Sequence, residues 1–244
     1  MARQQMIHSM PAIADTCGTA LAEQRAYYGA RAAEYDAWWL RQGRYDRGPE
    51  ANAAWHTEGK EVARALAEFR PAGHVLELAC GTGIWTEKLV TTADRVTAVD
   101  ASSEMLALNA QRVGRTQVRH VQTDIFQWQP DAQFDAIFFG FWLSHVPPKL
   151  FETFWQLLAS VLKPKGRVFL VDSRYEPSST ARDHSLPEPG GVTQLRRLDD
   201  GREFRVYKIF YEPAELTARL ARLGWEFHFR ETAHYFIHGS GAPI

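Results

Sequence analysis

Cysteine is scarce in this chain. Its 244 residues hold two, Cys17 and Cys80, far apart and in segments of different kinds, so neither a disulfide framework nor a zinc spacing can be built from them. Excess charge is missing as well. Lys and Arg number 28 against 29 Asp and Glu, a formal net charge of -1, whereas a chain whose main partner is nucleic acid usually carries a basic excess or stripe. The pair Arg196-Arg197 shares its run with Asp199, Asp200 and Glu203 and reads as a solvated hairpin surface. No apolar run approaches a membrane span, and the opening MARQQMIHSMPAIADTCG lacks the apolar core of a signal peptide. These absences predict a reduced, cytoplasmic protein with neither nucleic acid nor membrane as a partner.

Apolar material is plentiful. Hydrophobic residues make up 45%, with 8 Trp, 14 Phe and 8 Tyr, enough for one well-packed domain and too little for two full-sized ones. Residues 1 to about 20 show no period and are expected to be loosely docked. Ala22 to Leu40 reads as one aromatic helix carrying Tyr27, Tyr28, Tyr35, Trp38 and Trp39, and a second helix runs from about Ala51 to Phe69. An alternation follows. Strands at 74–79, 95–99, 118–122, 134–139 and 167–171 are separated by helices or by turns into helices. Apolar strands alternating with helices mean a parallel sheet covered on both faces, hence a doubly wound α/β fold. Residues 173–191 read as a Pro-rich loop, 192–198 and 203–210 as a hairpin around Asp199-Asp200-Gly201, 213–223 as a helix, and 225–231 with 234–238 as a closing strand pair.

The chemistry concentrates at strand ends, where an open parallel sheet binds ligands. Gly81 and Gly83 permit a sharp turn after the first strand and close approach of a ligand to the main chain. Glu77, near the end of that buried strand, needs a hydrogen-bonding partner, which a ligand amino group would supply. Asp100 ends the second strand and can accept both hydroxyls of a ribose. Asp124 ends the third and can accept from an adenine amine, with Ile125 and Met105 sandwiching the ring. Singly these signals are weak; three acids in order at three consecutive strand ends are specific.

The set resembles the class I, Rossmann-like S-adenosylmethionine-dependent methyltransferases of small-molecule type. VLELACGTG (75–83) is similar to that family's glycine-rich motif, AVDAS (98–102) to its ribose acid, and VQTDIF (121–126) to its third motif. FFGFWLSHVP (138–147) and LKPKGRVFLVD (162–172) resemble the segments around strands four and five. The resemblance implies seven strands in the order 3-2-1-4-5-7-6 with the last antiparallel and helices on both faces. It adds an N-terminal helical cap over 1–50 and a Rossmann-like domain over 51–244, with a β-hairpin insertion at about 174–211. It also implies S-adenosylmethionine as the cofactor. Glu77 and the backbone of Ala79, Gly81, Thr82 and Gly83 would hold its methionine part, and Asp100 with Ala101 the ribose. Asp124, Ile125 and Met105 would hold the adenine, Phe139 and Gly140 would offer backbone groups, and Tyr27 and Tyr35 would close over it. Ala79 stands where the family has its first glycine, which suits a tight turn only if Ala79 keeps an ordinary strand conformation.

For the reaction, His145 after strand four is the candidate base. Tyr28, Trp142, Asp172, Arg174 and Tyr175 are the candidate acceptor pocket, and His184 reaches it only if its loop folds inward. Phe138-Phe139-Gly140 lacks the acid of metal-dependent catechol-type members and the Asn/Asp-Pro-Pro-aromatic motif of nucleic-acid adenine methyltransferases. The expected activity is therefore metal-independent methyl transfer to an oxygen or nitrogen, less readily a carbon or sulfur, of a small aromatic or apolar molecule, by a monomer or homodimer. Two alternatives stay open: a non-catalytic nucleoside-binding domain, and a nicotinamide-dependent dehydrogenase, which would want a third glycine where Ile84-Trp85-Thr86 stands.

Overall fold

A computed structural model describes residues 15–188 and 190–244. The expectation of a loosely docked start falls mostly outside that range, and from Asp15 the chain is already helical. Strands β1 (His74–Leu78), β2 (Arg95–Asp100), β3 (Val118–Gln122), β4 (Phe134–Gly140) and β5 (Leu162–Ser173) are parallel neighbours in the order β3-β2-β1-β4-β5. The hairpin strands β6 (Thr193–Arg197) and β7 (Glu203–Tyr207) form a separate two-stranded sheet. β8 (Trp225–Glu231) and β9 (Phe236–Pro243) then complete the main sheet as β5-β9-β8, with β9 antiparallel to both neighbours. The expected seven-strand order is present, with the hairpin taking two numbers between the fifth strand and the closing pair.

Alternate residues of each central strand face opposite layers. Val75, Val96, Phe138 and Phe169 point to a core shared with Trp38, Trp55, Val62, Leu66 and Phe69. Four of the latter lie on α3 (Pro49–Phe69), and Trp38 on the five-residue helix α2 (Tyr35–Trp39). Leu76, Leu78, Ile137 and Phe139 point the other way, against α6 (Phe151–Val161) and α7 (Pro213–Ala221). A sheet buried on both faces explains why its strands read as nearly continuous apolar runs. The turn between β1 and β2 carries only a four-residue helix, α4 (Thr86–Leu89). α5 (Ser103–Val113) follows β2, and Ser102 Oγ caps it by accepting from Met105 N at 3.1 Å.

Two local expectations need correction. The single helix foreseen over 22–40 is broken: α1 (Asp15–Ala30) ends before Arg31, and a 3-10 turn over Ala32–Glu34 leads into α2. The bend wraps Tyr27, Tyr35 and Tyr45 around the buried Arg31 guanidinium, with ring centroids 5.6, 5.0 and 5.7 Å from its carbon. Tyr27 and Tyr35 flank Arg31 four residues to either side, and Tyr45 closes the cage from beyond α2. Ala79, in turn, leaves strand geometry, with φ at 51°. The turn demands a left-handed residue there, and alanine meets the demand under strain of about 1–2 kcal/mol. Ala79→Gly is therefore expected to leave stability unchanged or raise it by up to about 1 kcal/mol, since the relief exceeds glycine's extra chain entropy. Ala79→Val, β-branched at positive φ, should lose about 2 kcal/mol or more. Urea unfolding of the three proteins checks both.

Candidate active site

The carboxyl ends of β1, β2 and β4 open into a cleft under α1. Asp100, Ala101, Met105, Asp124, Ile125 and Trp142 line it, together with Gly81, Gly140, Tyr28, Tyr35 and His145. Asp100 is pinned in place, accepting from Gly81 N and Ser102 N, both at 2.9 Å, while burial pushes its acidity down and its pKa up. Asp124 is already engaged: Arg25 of α1 donates to it at 2.6 Å. An adenine amine at Asp124 would thus share the carboxylate with the cap. Gln24 and Leu21, one turn away on α1, line the same cleft.

A second compartment adjoins it, walled by Glu77, Ala79, Thr82, Trp85 and Trp39 and sharing Tyr35, Gly81, Gly140 and Phe141 with the cleft. Glu77 is fully buried there and accepts from Thr86 Oγ1 at 2.6 Å. Burial, not fully offset by that bond, pushes its pKa up to about 8. A carboxylate sealed in with one hydrogen bond is fitted to receive an ammonium group. Thr82 Oγ1 donates to Asp36 of α2 at 2.6 Å, and Arg112 pairs with the same Asp36, which ties the cap to the glycine loop.

A third cavity lies on the far side of Tyr28, Tyr35, Phe141 and His145, which line both it and the cleft. Its distinctive residues are Arg31, Arg196 and Lys208, each at most 8% exposed. Lys208 donates to Ser144 Oγ at 2.9 Å and pairs with Asp172 at 3.4 Å. Arg196 donates to Thr180 Oγ1 at 3.1 Å and Arg31 to Tyr45 Oη at 3.2 Å. The Nε atoms of both arginines are buried without a hydrogen-bond partner. Among the described residues neither guanidinium has a carboxylate within ion-pair distance. Phe141, common to all three compartments, has a φ of 56°, a strained setting of the kind held only by surrounding packing.

Several sequence expectations land elsewhere. Tyr27 is buried between α1 and the hairpin with Leu198 and Val206, away from the cleft. Phe139, expected to offer only backbone groups, turns its side chain away onto Phe154 and Trp155, which leaves that expectation open. Gly83 abuts Asn109 and supports the turn from behind. Asp172 holds Lys208 and accepts from Ser144 N, without lining the cavity itself. Arg174 and Tyr175 border a different depression; Arg174 pairs with Glu231, and Tyr175 stacks edge-on against Phe210. His184 folds inward but takes Arg197 N, bracing the hairpin.

Arg196 corrects the reading of its own segment. Arg197 and Leu195 face out, whereas Gln194 and Arg196 face in. The sequence signal was available: in a period-two strand Arg196 shares a face with Gln194, opposite Leu195, so one face had to bury an arginine. Arg31 and Lys208 gave no such signal.

Residues 75–166 match a family model described as a methyltransferase domain. The chain is 31% identical over 189 residues to a ubiquinone biosynthesis O-methyltransferase of Xanthomonas axonopodis pv. citri (strain 306), covering 71% of this chain and 76% of that protein. A solved DhpI–SAM–HEP complex is 42% identical, with 92% of this chain and 98% of the other covered and a TM-score of 0.75. The chain belongs to the S-adenosylmethionine-dependent methyltransferases. It is an enzyme, and its cofactor is S-adenosylmethionine. The glycopeptide N-methyltransferase MtfA, 18% identical at a TM-score of 0.57, shares the fold. Among the described residues no helix is long and apolar enough to cross a membrane.

The acidity of Glu77 links binding to stability. Between the ordinary carboxylate range and about pH 8 the empty folded methyltransferase keeps a proton that the unfolded chain has lost, so stability falls as pH rises through that window. Glu77→Gln is expected to raise the thermal midpoint of the empty protein at pH 8, with the gap closing toward pH 4. The same change should weaken S-adenosylmethionine tenfold or more in calorimetry, because the ammonium loses its counter-charge.

Proposed function

We propose that this methyltransferase transfers the methyl group to an oxygen of a small anionic acceptor, a phosphonate, phosphate monoester or carboxylate, held by Arg31, Arg196 and Lys208. The observation that carries the reading is the third cavity: three buried cations, one carboxylate among them, and two guanidinium Nε atoms without partners. Buried donors and charges of this kind are costly unless a ligand satisfies them. An oxyanion does so, and arginine forks suit planar oxygens best. The aromatic or apolar acceptor expected from sequence leaves them unmet. Ubiquinone, for which the Xanthomonas relative is named, would place such an apolar acceptor against three buried cations that share one carboxylate.

In this reading the compartment of Glu77 and Thr82 holds the methionine end of the cofactor. Asp100 holds the ribose, and Asp124, Ile125 and Met105 the adenine. S-adenosylmethionine supplies an electrophilic methyl on a positively charged sulfur. The acceptor oxygen forms the new bond to carbon, and the sulfur keeps the electron pair of the broken one. An oxyanion has no proton to lose, so the protein's work is alignment and exclusion of water, worth ~7–11 kcal/mol when geometry is close. Trp38 and Phe141 wall the cavity with rings, while Ser179 and Thr180 add hydroxyls at its far end.

Burial, with the Arg196 charge nearby, lowers the Lys208 pKa to about 8 against the opposing pull of Asp172. The charged ammonium is present below that pH and lost above it, so acceptor affinity should fall as pH rises through about 8. Formation of S-adenosylhomocysteine from acetate, inorganic phosphate and methylphosphonate, compared with catechol and aniline, tests the class. Turnover of an anion, with KM raised tenfold or more in Arg196→Met and its alkaline rise absent in Lys208→Met, supports the reading. Turnover of the neutral aromatics alone would remove it.

A further inference from the structure

Tyr28 and His145 stand where the cofactor cleft meets the cation cavity, and each lines both. A methyl group passing from one compartment to the other must cross beside them. Their hydrogen bonds fix the hydrogen positions without ambiguity. His145 Nδ1 faces the carbonyl oxygen of Tyr207, which can only accept, so Nδ1 carries the proton. In the neutral ring Nε2 is then an acceptor, and the hydroxyl 2.7 Å from it, that of Tyr28, must donate. The imidazole cannot turn to exchange these roles. Its backbone N–H donates to Trp142 O at 2.8 Å, its carbonyl accepts from Gln24 Nε2 at 3.1 Å, and the residue is 4% exposed.

We propose that His145 is a positioning residue and not a base: by accepting the Tyr28 hydroxyl hydrogen, it turns the Tyr28 oxygen toward the meeting point of the two compartments as a lone-pair acceptor for the sulfonium methyl. A methyl on positively charged sulfur has polarised C–H bonds, and an oxygen lone pair attracts them weakly. A hydroxyl hydrogen in the same place would repel them. His145 itself is kept neutral by the surroundings that make it a poor base. Burial holds its pKa well below the ordinary histidine range, and Lys208 and Arg196 push it the same way. A protonated His145 would add a fourth cation to Arg31, Arg196 and Lys208. It would also turn Nε2 into a donor and reverse the Tyr28 hydroxyl. The inference rests on the cofactor lying in the cleft with its methyl toward the cation cavity, and it holds whichever acceptor enters.

Calorimetry with S-adenosylmethionine and with S-adenosylhomocysteine, which lacks the methyl, separates the roles without any acceptor. Tyr28→Phe and His145→Ala should each weaken S-adenosylmethionine roughly two- to fivefold, on the scale of such weak bonds, and leave S-adenosylhomocysteine unchanged within error. The double variant should lose no more than either single one. His145→Gln, whose amide oxygen can still accept from Tyr28, should lose far less than His145→Ala. Nitrogen-15 spectra of wild-type histidines should show one ring protonated at Nδ1 and bare at Nε2 at pH 7, with Nε2 shifted in Tyr28→Phe. Equal weakening of both cofactor forms by Tyr28→Phe, or a protonated Nε2 in wild type, would overturn the proposal; Tyr28→Phe removes one oxygen and keeps the ring that packs. A methyl-dependent affinity gap in an enzyme that ignores every anion would sink the acceptor reading and leave this one standing. Anion turnover without the gap would do the reverse.

Discussion

A guanidinium buried without a carboxylate is an unusual thing for a fold to keep, and much of this enzyme is arranged around one. Arg31 lies inside Tyr27, Tyr35 and Tyr45, whose ring faces partly replace the water it has lost. Tyr45 completes that cage from beyond α2, and the cap bends between α1 and α2. The bend sets Tyr28 and Arg25 over the cleft and Asp36 against the glycine loop. The same cage leaves Nε of Arg31 without a hydrogen-bond partner, in a side chain that lines the third cavity. One cation thus shapes the cap over the cleft and adds charge to the cavity beside it.

The hairpin joins this arrangement through its backbone. The N–H groups of Arg205 and Tyr207 on β7 would otherwise be an open strand edge, and the Glu23 and Gln24 side chains of α1 accept from them. Gln24 also donates to the His145 carbonyl. Cap, hairpin and the loop after β4 are therefore one hydrogen-bonded unit. It carries Tyr28, Arg31, Arg196 and His145, while Lys208 just beyond β7 anchors it to Asp172 at the end of β5. Beneath it, Trp38, Trp39 and Phe236 crowd around Phe141, which accounts for a bulky residue tolerating positive φ at the point where the three compartments meet.

The sheet was legible because a strand buried on two faces has to be apolar along its length, as β1, β2 and β4 are, with an acid or glycine at or just after each end. Asp100 and Asp124 were legible for the same reason, being polar residues where an apolar strand stops. The cap was read less well. Helical periodicity reports which face is apolar and says little about a bend that exists to surround a cation, so 22–40 read as one helix. Arg174 and Tyr175 follow a strand end and looked placed for the acceptor, but β5 runs on to Ser173 and delivers them to Glu231 and Phe210 instead.

What the sequence determined by itself is the scaffold and the cofactor's half of the site. Both depend on local order: strand, turn and helix in succession, with Glu77, Gly81 and Asp100 within 24 residues of one another. Tertiary structure alone decided the half proposed here for the acceptor. Arg31, Arg196 and Lys208 come from an N-terminal turn and two sides of a distant hairpin. An arginine on a polar hairpin and a lysine after one look solvated in sequence. The packing of α1, the hairpin and the loop after β4 around them removes their water, and that loss of water is what makes them candidates for holding an anion.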